Sequence, residues 1–437
     1  MARASQIKAT KKRRKNTILL GAIADDIAGA TDLCNILVGQ GMRTVQEIGV
    51  PGKNHPAHDE DAVVVALATR TGPAKSAVRQ SLAALRWLQG RGAKQIFFKY
   101  RSTFSSTNRG NIGPVADALL DAMGEDFTVV CPAFPTAGRT LFQGHLFVGN
   151  LLLSESFMRT HPMTPMKQSN LIRVLSRQTK HQVDLVPHEV VTVGPEAIRN
   201  HLKLLRDAGN RFAIVDAVSD RNLVDTGIAC RDMKLVTGSS GAALALPKNF
   251  RRAGLLGPDS GADILPSSKG YSAVVAGSCS QATLAQVAYM KNHHPAFFVD
   301  GMKLGGKRDV AKEALEWAKP KLADGPVLIY SSAEADVVKK VQRKHGVENA
   351  TILIEKCLAR ISRDLVRAGV GRLIVAGGIT ASESLKALKI QSLRIGHEIN
   401  PGVPWTMTFD TPPVHLALKA GNFGDEDFFT RAFRLLK

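Results

Sequence analysis

Cysteine is scarce and scattered. Cys34, Cys131, Cys230, Cys279 and Cys357 stand singly among 437 residues, the count is odd, and no CxxC occurs. That excludes a disulfide framework and a thiolate zinc site, and suits reduced thiols in a cytoplasmic protein. Aromatic residues make up only 5%. No interleaving of basic and aromatic residues marks a stacking surface, so nucleic acid is not expected as a partner. No uncharged apolar run reaches the roughly 18 residues of a membrane span. The opening stretch "MARASQIKATKKRRKN" has no apolar core of the signal-peptide kind.

Positive charge is in excess. Lys and Arg number 58 against 38 Asp and Glu, a formal net charge of +20. Part of it is the block Lys11, Lys12, Arg13, Arg14 and Lys15, which reads as a solvated leader over residues 1–16. The rest is dispersed. A positive field of that kind raises the encounter rate of an enzyme with anionic substrates.

Apolar runs rich in Val, Ile and Phe alternate with helical patterns. "TILLGAIA", "DAVVVALAT", "QIFFKY" and "FTVVCPAF" read as buried strands, and amphipathic segments such as "KSAVRQSLAALRWLQGRG" lie between them. The expected fold is α/β, with two domains whose mostly parallel sheets are flanked by helices and a ligand cleft between them. Residues 17–247 form the first domain and residues 140–195 within it leave room for an antiparallel excursion. Pro, Gly, Ser and charge over 248–270 read as a linker, and 271–437 form the second domain.

Ligands of open α/β sheets gather beyond the C-terminal strand ends. After the first strand come Asp25 and Asp26. After "QIFFKY" come Lys99, Arg101 and Ser102, and after "FTVVCPAF" come Arg139 and His145. Asp216 follows "RFAIV". Carboxylates, cations and hydroxyls in one place suit a small polyhydroxy acid. Arg and Lys would hold its carboxylate, and Asp25 or Asp26 would accept a hydroxyl proton. Capping of the next helix is the structural alternative for the Asp pair.

The second domain has small, Gly-rich turns instead: "VAGSCS", "VAGGITAS" and "LKAGNFGDEDFF". Such turns opening onto helices favour phosphate, although none is a GxxxxGK[ST] or GxGxxG loop. An acidic polyol on one domain and a polyphosphate on the other would make a small-molecule kinase.

These same stretches, with "GATDL", "CPAFP", "QGHLFVG", "IVDAVSD", "VAGSCSQATLAQV" and "GNFG", carry a resemblance. From about residue 17 to the end, the chain resembles the four-carbon acid sugar kinase family, in particular its 3-oxo-tetronate kinases. The resemblance implies an acid-sugar-binding domain followed by a nucleotide-binding domain. It also implies ATP-dependent phosphorylation of the terminal (4-) hydroxyl of a 3-oxo-tetronate, with a small-molecule acid sugar and ATP as ligands. Carried over, the ATP site would include Ser278, Gly377, Gly378, Ile379, Thr380 and Gly421. Mg2+ is expected on general grounds and its ligands are unknown. A homo-oligomer is compatible with the sequence.

The chain departs from the family pattern in places. Ile27 and Ala28 replace a usual Phe-Thr, Ser105 an Asp and Ser239 a Gly. Ile379, Ala381 and Ser382 stand where Glu, Ser and Gly are usual. The alternatives are therefore a weakened relative that binds nucleotide or acid sugar without turnover, and a kinase of erythronate or threonate.

Overall fold

The computed structural model describes residues 18–52, 54–56, 58–161, 163–258, 261–267 and 269–436. The basic leader lies outside the described residues. The chain groups into two compact units. The first holds the described residues of Met1–Asp26, Met42–Val45 and Gly49–Asp259. The second holds those of Ile27–Gly41, Gln46–Ile48 and Ser260–Lys437.

The strands of the first part of the chain are β1 Leu20–Ala24, β2 Thr44–Ile48, β3 Ala62–Ala66, β4 Gln95–Lys99 and β5 Thr128–Cys131. They continue with β6 Arg139–Phe142, β7 His145–Val148, β8 Leu151–Leu152, β9 Gln182–Val186, β10 Asn210–Val215 and β11 Leu235–Gly238. In the first unit the order β3-β1-β4-β11-β5-β10-β9 is parallel throughout. All five residues of β1, β3 and β4 are buried. That matches their unbroken apolar sequence, since a parallel strand is covered on both faces. The irregular segment is the antiparallel set β6-β7-β8.

The second unit adds β12 Tyr271–Ala276, β13 Ala296–Phe298, β14 Val327–Tyr330, β15 Val370–Ala376, β16 Ser392–Asn400, β17 Val403–Thr408 and β18 His415–Lys419. Their order is β13-β14-β12-β15-β18-β17-β16. The first five are parallel, and β17 and β16 extend the sheet antiparallel. Alternate residues of β12 enter different cores. Ala273 and Val275 pack with Leu358 and Ile361 of the helix Val347–Arg367. Val274 and Ala276 pack with Val287, Trp405 and Phe428. Each buried Val or Ile contributes about 1.5–3 kcal/mol.

Two features differ from the sequence reading. A helix, Leu246–Arg252, occupies the start of the stretch read as linker, with Pro247 in its first turn and Phe250 buried. The helix Ile27–Gly39, expected with the first domain, groups with the second unit because it packs against β16 and β17.

Candidate active site

Register sets the polar ends of the first unit. Ala24, the last residue of β1, lies opposite Ala66 of β3 and Lys99 of β4. Lys99 in turn lies opposite Gly238 of β11. Asp25 therefore leaves the sheet beside Lys99, and its N–H donates to the Lys99 carbonyl at 3.1 Å. Its own carbonyl accepts from the N–H groups of Thr69 and Arg70 at 3.0 and 3.1 Å.

The Asp25 carboxylate is 4% exposed, and its Oδ1 is buried without a hydrogen-bond partner among the described residues. Burial, reinforced by the neighbouring Asp26 charge, pushes its carboxyl up to about 7, against the opposing pull of Lys99, Arg70 and Arg101. Asp26 has a different environment. It forms ion pairs with Arg70 and, at 3.0 Å, with Arg101. The pair thus sits among three cations, Lys99, Arg70 and Arg101.

Lys99 is 2% exposed, and its Nζ donates to the Tyr100 carbonyl at 3.1 Å. Ser102 is half-buried in the turn that follows. That turn includes Phe104, a buried residue at φ 45°, a conformation that costs a non-glycine residue about 1–3 kcal/mol. Arg139 donates to the Ala137 carbonyl, while its Nε is buried without a partner among the described residues. Burial and the nearby Arg101 charge lower its guanidinium pKa. Arg139 is thus a cation short of negative charge.

The structure brings together Asp25, Asp26, Lys99 and Arg139 through Arg70 and Arg101. It also gives Asp216 a structural task. Its carboxylate accepts from the backbone N–H groups of Gln143 at 2.7 Å, Gly144 at 3.0 Å and His188 at 3.1 Å. Burial raises its pKa and these three donors oppose the rise. It anchors the β6–β7 turn and through it His145, whose Nδ1 lies 2.8 Å from the Gln143 carbonyl. Arg70 was missed by the sequence reading, although it lies just beyond β3, where the strand-end rule applies.

In the second unit the strand ends form one row. Ala276 lies opposite both Tyr330 and Ala376, and Ala376 lies opposite Lys419. The turns after β12, β15 and β18 therefore start level with one another. They approach so closely that only glycine fits. A Cβ on Gly421 would collide with Ser278 Oγ, and one on Gly277 with Thr380 Oγ1. Gly377 has φ 131°, and a Cβ there would lie 2.7 Å from Thr380 Oγ1 and 3.2 Å from the Ser278 nitrogen.

Gly378 and Ile379 open the helix Gly378–Ala387 and are exposed, Ile379 by 57%. Thr380 is buried, and its hydroxyl donates to Glu355 Oε1 at 3.2 Å. Ser278 does not cap the helix Gln281–Lys291; Ser280 does, accepting from the Thr283 N–H. Ser278 Oγ instead accepts from the Ser280 N–H at 3.2 Å.

Lys419, also missed, pins the third turn. Its Nζ donates to Gly421 O at 2.8 Å, Phe423 O at 3.1 Å, Ala420 O at 3.2 Å and Thr283 Oγ1 at 3.1 Å. Burial pulls its ammonium pKa down to about 8. Replacing Lys419 by Met removes all four bonds at once, while Gly421 O, Phe423 O and Ala420 O each keep another donor, so urea unfolding should show a loss of about 1–3 kcal/mol. A loss below about 0.5 kcal/mol would show that the turn holds without it.

Backbone-lined turns at strand ends, two of them opening onto a helix N-terminus, can take phosphate. A carboxylate near neutrality beside cations can take a hydroxyl proton from an acid. Among the described residues no group of three His, Cys, Asp or Glu side chains converges on these three turns. Magnesium suits such a place, since it keeps its waters and binds substrate phosphates rather than an all-protein cage.

Comparison with known proteins agrees in both halves. Residues 20–246 match a sugar-binding N-terminal domain and residues 273–429 a nucleotide-binding C-terminal domain. The 3-oxo-tetronate kinase of Burkholderia multivorans is 53% identical over 418 residues, covering 96% of this chain and 97% of that protein. The one from Cupriavidus necator is 51% identical over 421 residues, covering 96% and 97%. A solved Haemophilus influenzae protein superposes with a TM-score of 0.86 at 40% identity, covering 95% of this chain and 100% of that one. With relatives this close over nearly its whole length, the chain belongs to the four-carbon acid sugar kinase family.

Proposed function

We propose that the protein is an ATP-dependent kinase that phosphorylates the 4-hydroxyl of a 3-oxo-tetronate. The observation that carries the reading is Asp25: a buried carboxylate poised at about 7, in the unit that matches a sugar-binding domain. Arg139 and Lys99 hold the substrate carboxylate, and that negative charge relieves the repulsion between Arg139 and Arg101. Ser102 and His145 offer hydrogen bonds to the remaining oxygens. Asp216 positions the His145 turn.

Asp25 takes the proton of the 4-hydroxyl as its oxygen bonds to the γ-phosphorus. The bond from that phosphorus to the β–γ bridging oxygen breaks, and ADP leaves with the electron pair. Asp26 fixes Arg70 and Arg101 and keeps Asp25 basic. The Ser278, Gly377–Thr380 and Gly421 turns hold the polyphosphate on backbone N–H groups; a Mg2+ ion carried on those phosphates would supply charge neutralisation. The buried free thiols Cys34, Cys131 and Cys230 suit work in the reducing cytoplasm.

ADP release should be measured with 3-oxo-tetronates, erythronate and threonate, with Mg2+ present and absent. Turnover is expected with a 3-oxo-tetronate and only with the metal. Folded protein that turns over none of these acids would sink the kinase reading. One observation favours a second reading, binding without turnover: apolar Ile379 is exposed in the first helical turn beside Gly377. Calorimetric binding of ATP and acid with no ADP formed would establish it.

A further inference from the structure

A cavity of about 140 Å³ lies in the second unit at the ends of β12, β13 and β14. Gly277 lines it after β12, Phe298 at the end of β13 and Ser331 after β14. Val337 and Val341 from the helix Ala335–His345 and Ile354 from the helix Val347–Arg367 give it an apolar wall. Glu355 is the one carboxylate in its lining.

Sheet order fixes how this cavity relates to the phosphate turns. In the order β13-β14-β12-β15-β18, the cavity covers the first three strands and the turns cover the last three. They share the β12 loop, where Gly277 faces the cavity and Ser278 adjoins Gly421. Glu355 stands at the join. Its Oε1 accepts from Thr380 of the β15 turn, and its Oε2 is buried without a partner among the described residues. A buried carboxylate oxygen left unpaired costs free energy until a donor reaches it.

From this we infer that the cavity is the nucleoside subsite of the phosphoryl donor: the base lies on the Val337–Val341–Ile354 wall, and Glu355 Oε2 accepts from a ribose hydroxyl. The inference rests on the nucleotide-binding role proposed for the β12, β15 and β18 turns. A base, a sugar and a phosphate chain follow one another in a nucleotide, and an apolar wall, a lone acceptor and backbone N–H turns follow one another here. Carboxylates accept well from the vicinal hydroxyls of ribose. Burial raises the Glu355 pKa, with the Thr380 hydrogen bond opposing, so a second donor would be welcome there. The apolar wall contributes area rather than hydrogen bonds, so Glu355 selects the sugar and the wall sets the affinity.

The test is calorimetry of the full chain with ATP, 2′-deoxy-ATP, 3′-deoxy-ATP and tripolyphosphate. Wild type should bind ATP about tenfold more tightly than at least one deoxy analogue, the worth of one hydrogen bond to a charged group. Glu355→Gln keeps the volume and the Thr380 contact, and should shrink that preference to about twofold or less. Val337→Trp, at a half-buried position, fills the cavity. It should weaken ATP about tenfold or more while leaving tripolyphosphate unchanged. ATP affinity unaltered by Val337→Trp overturns the subsite, and deoxy discrimination unaltered by Glu355→Gln overturns the role of Glu355. If wild type binds neither ATP nor tripolyphosphate, the underlying nucleotide role fails as well. If it binds tripolyphosphate and not ATP, only the subsite fails.

Discussion

Asp25→Asn is expected to lower kcat by about 10²–10⁴-fold, the range for losing a general base. The amide keeps the shape of the carboxylate and cannot take a proton. In wild type, kcat/KM should rise as pH increases through about 7, where Asp25 becomes ionised, and then level off. The variant should lose that inflection.

The same substitution should stabilise the fold, with a sign that follows from linkage. An unfolded aspartate titrates near 3.8 and Asp25 in the folded chain at about 7. Between those values the folded state holds a proton that the unfolded state has released. Stability is therefore lost as pH rises from about 4 to about 7, and stays lost above that. The full span corresponds to about 4 kcal/mol at most. Urea unfolding of Asp25→Asn should show a gain over wild type that grows from pH 4 to pH 8. An enzyme that loses its activity without this gain would place Asp25 in a role other than a strained, buried base. One that keeps its activity would remove Asp25 from the chemistry.

Gly377→Ala should be the most damaging small change in the nucleotide half. At φ 131° an alanine is strained, and its Cβ would press on Thr380 Oγ1 and on the Ser278 backbone nitrogen. Thr380 cannot step aside cheaply, because it is buried and tied to Glu355. Backbone strain of this kind costs about 1–3 kcal/mol. Misplaced phosphate donors should lower kcat/KM for ATP by about 10²-fold or more. The KM for the acid sugar should move little. An ATP KM within about twofold of wild type would mean the turn does not cradle phosphate.

Much of this was legible in the sequence, and the reasons are specific. Unbroken apolar runs such as "LLGAIA" and "VVVALA" become strands buried on both faces, and the polar residues behind them stand where a parallel sheet puts its ligands. That rule picks out Asp25, Asp26, Lys99 and Arg139, which the structure brings near one another. Arg70 and Lys419 obey the same rule but were passed over, Lys419 even though its turn stood out for its glycines.

Glu355 had no signal at all. It is one acid in a long charged helix, and only the tertiary approach of Thr380 sets it apart. Asp216 shows a further limit. It lies at a strand end as expected, yet three backbone donors occupy it, and pairing of that kind cannot be read from spacing. Nor could helix Ile27–Gly39 be assigned, because it follows β1 directly in the chain while packing against β16 and β17.

Asp216 holds its three partners by main-chain N–H groups. Gln143, Gly144 and His188 contribute nothing to that anchor that another non-proline residue could not supply, save that Gln143 at φ 50° and Gly144 at φ 70° both need the left-handed backbone. The path of the hairpin is thus decoupled from its decoration. Side chains at 145 and 188 are free to diverge while the loop stays put, which offers lineages, or an engineer, a way to retune which acid is accepted without rebuilding the scaffold.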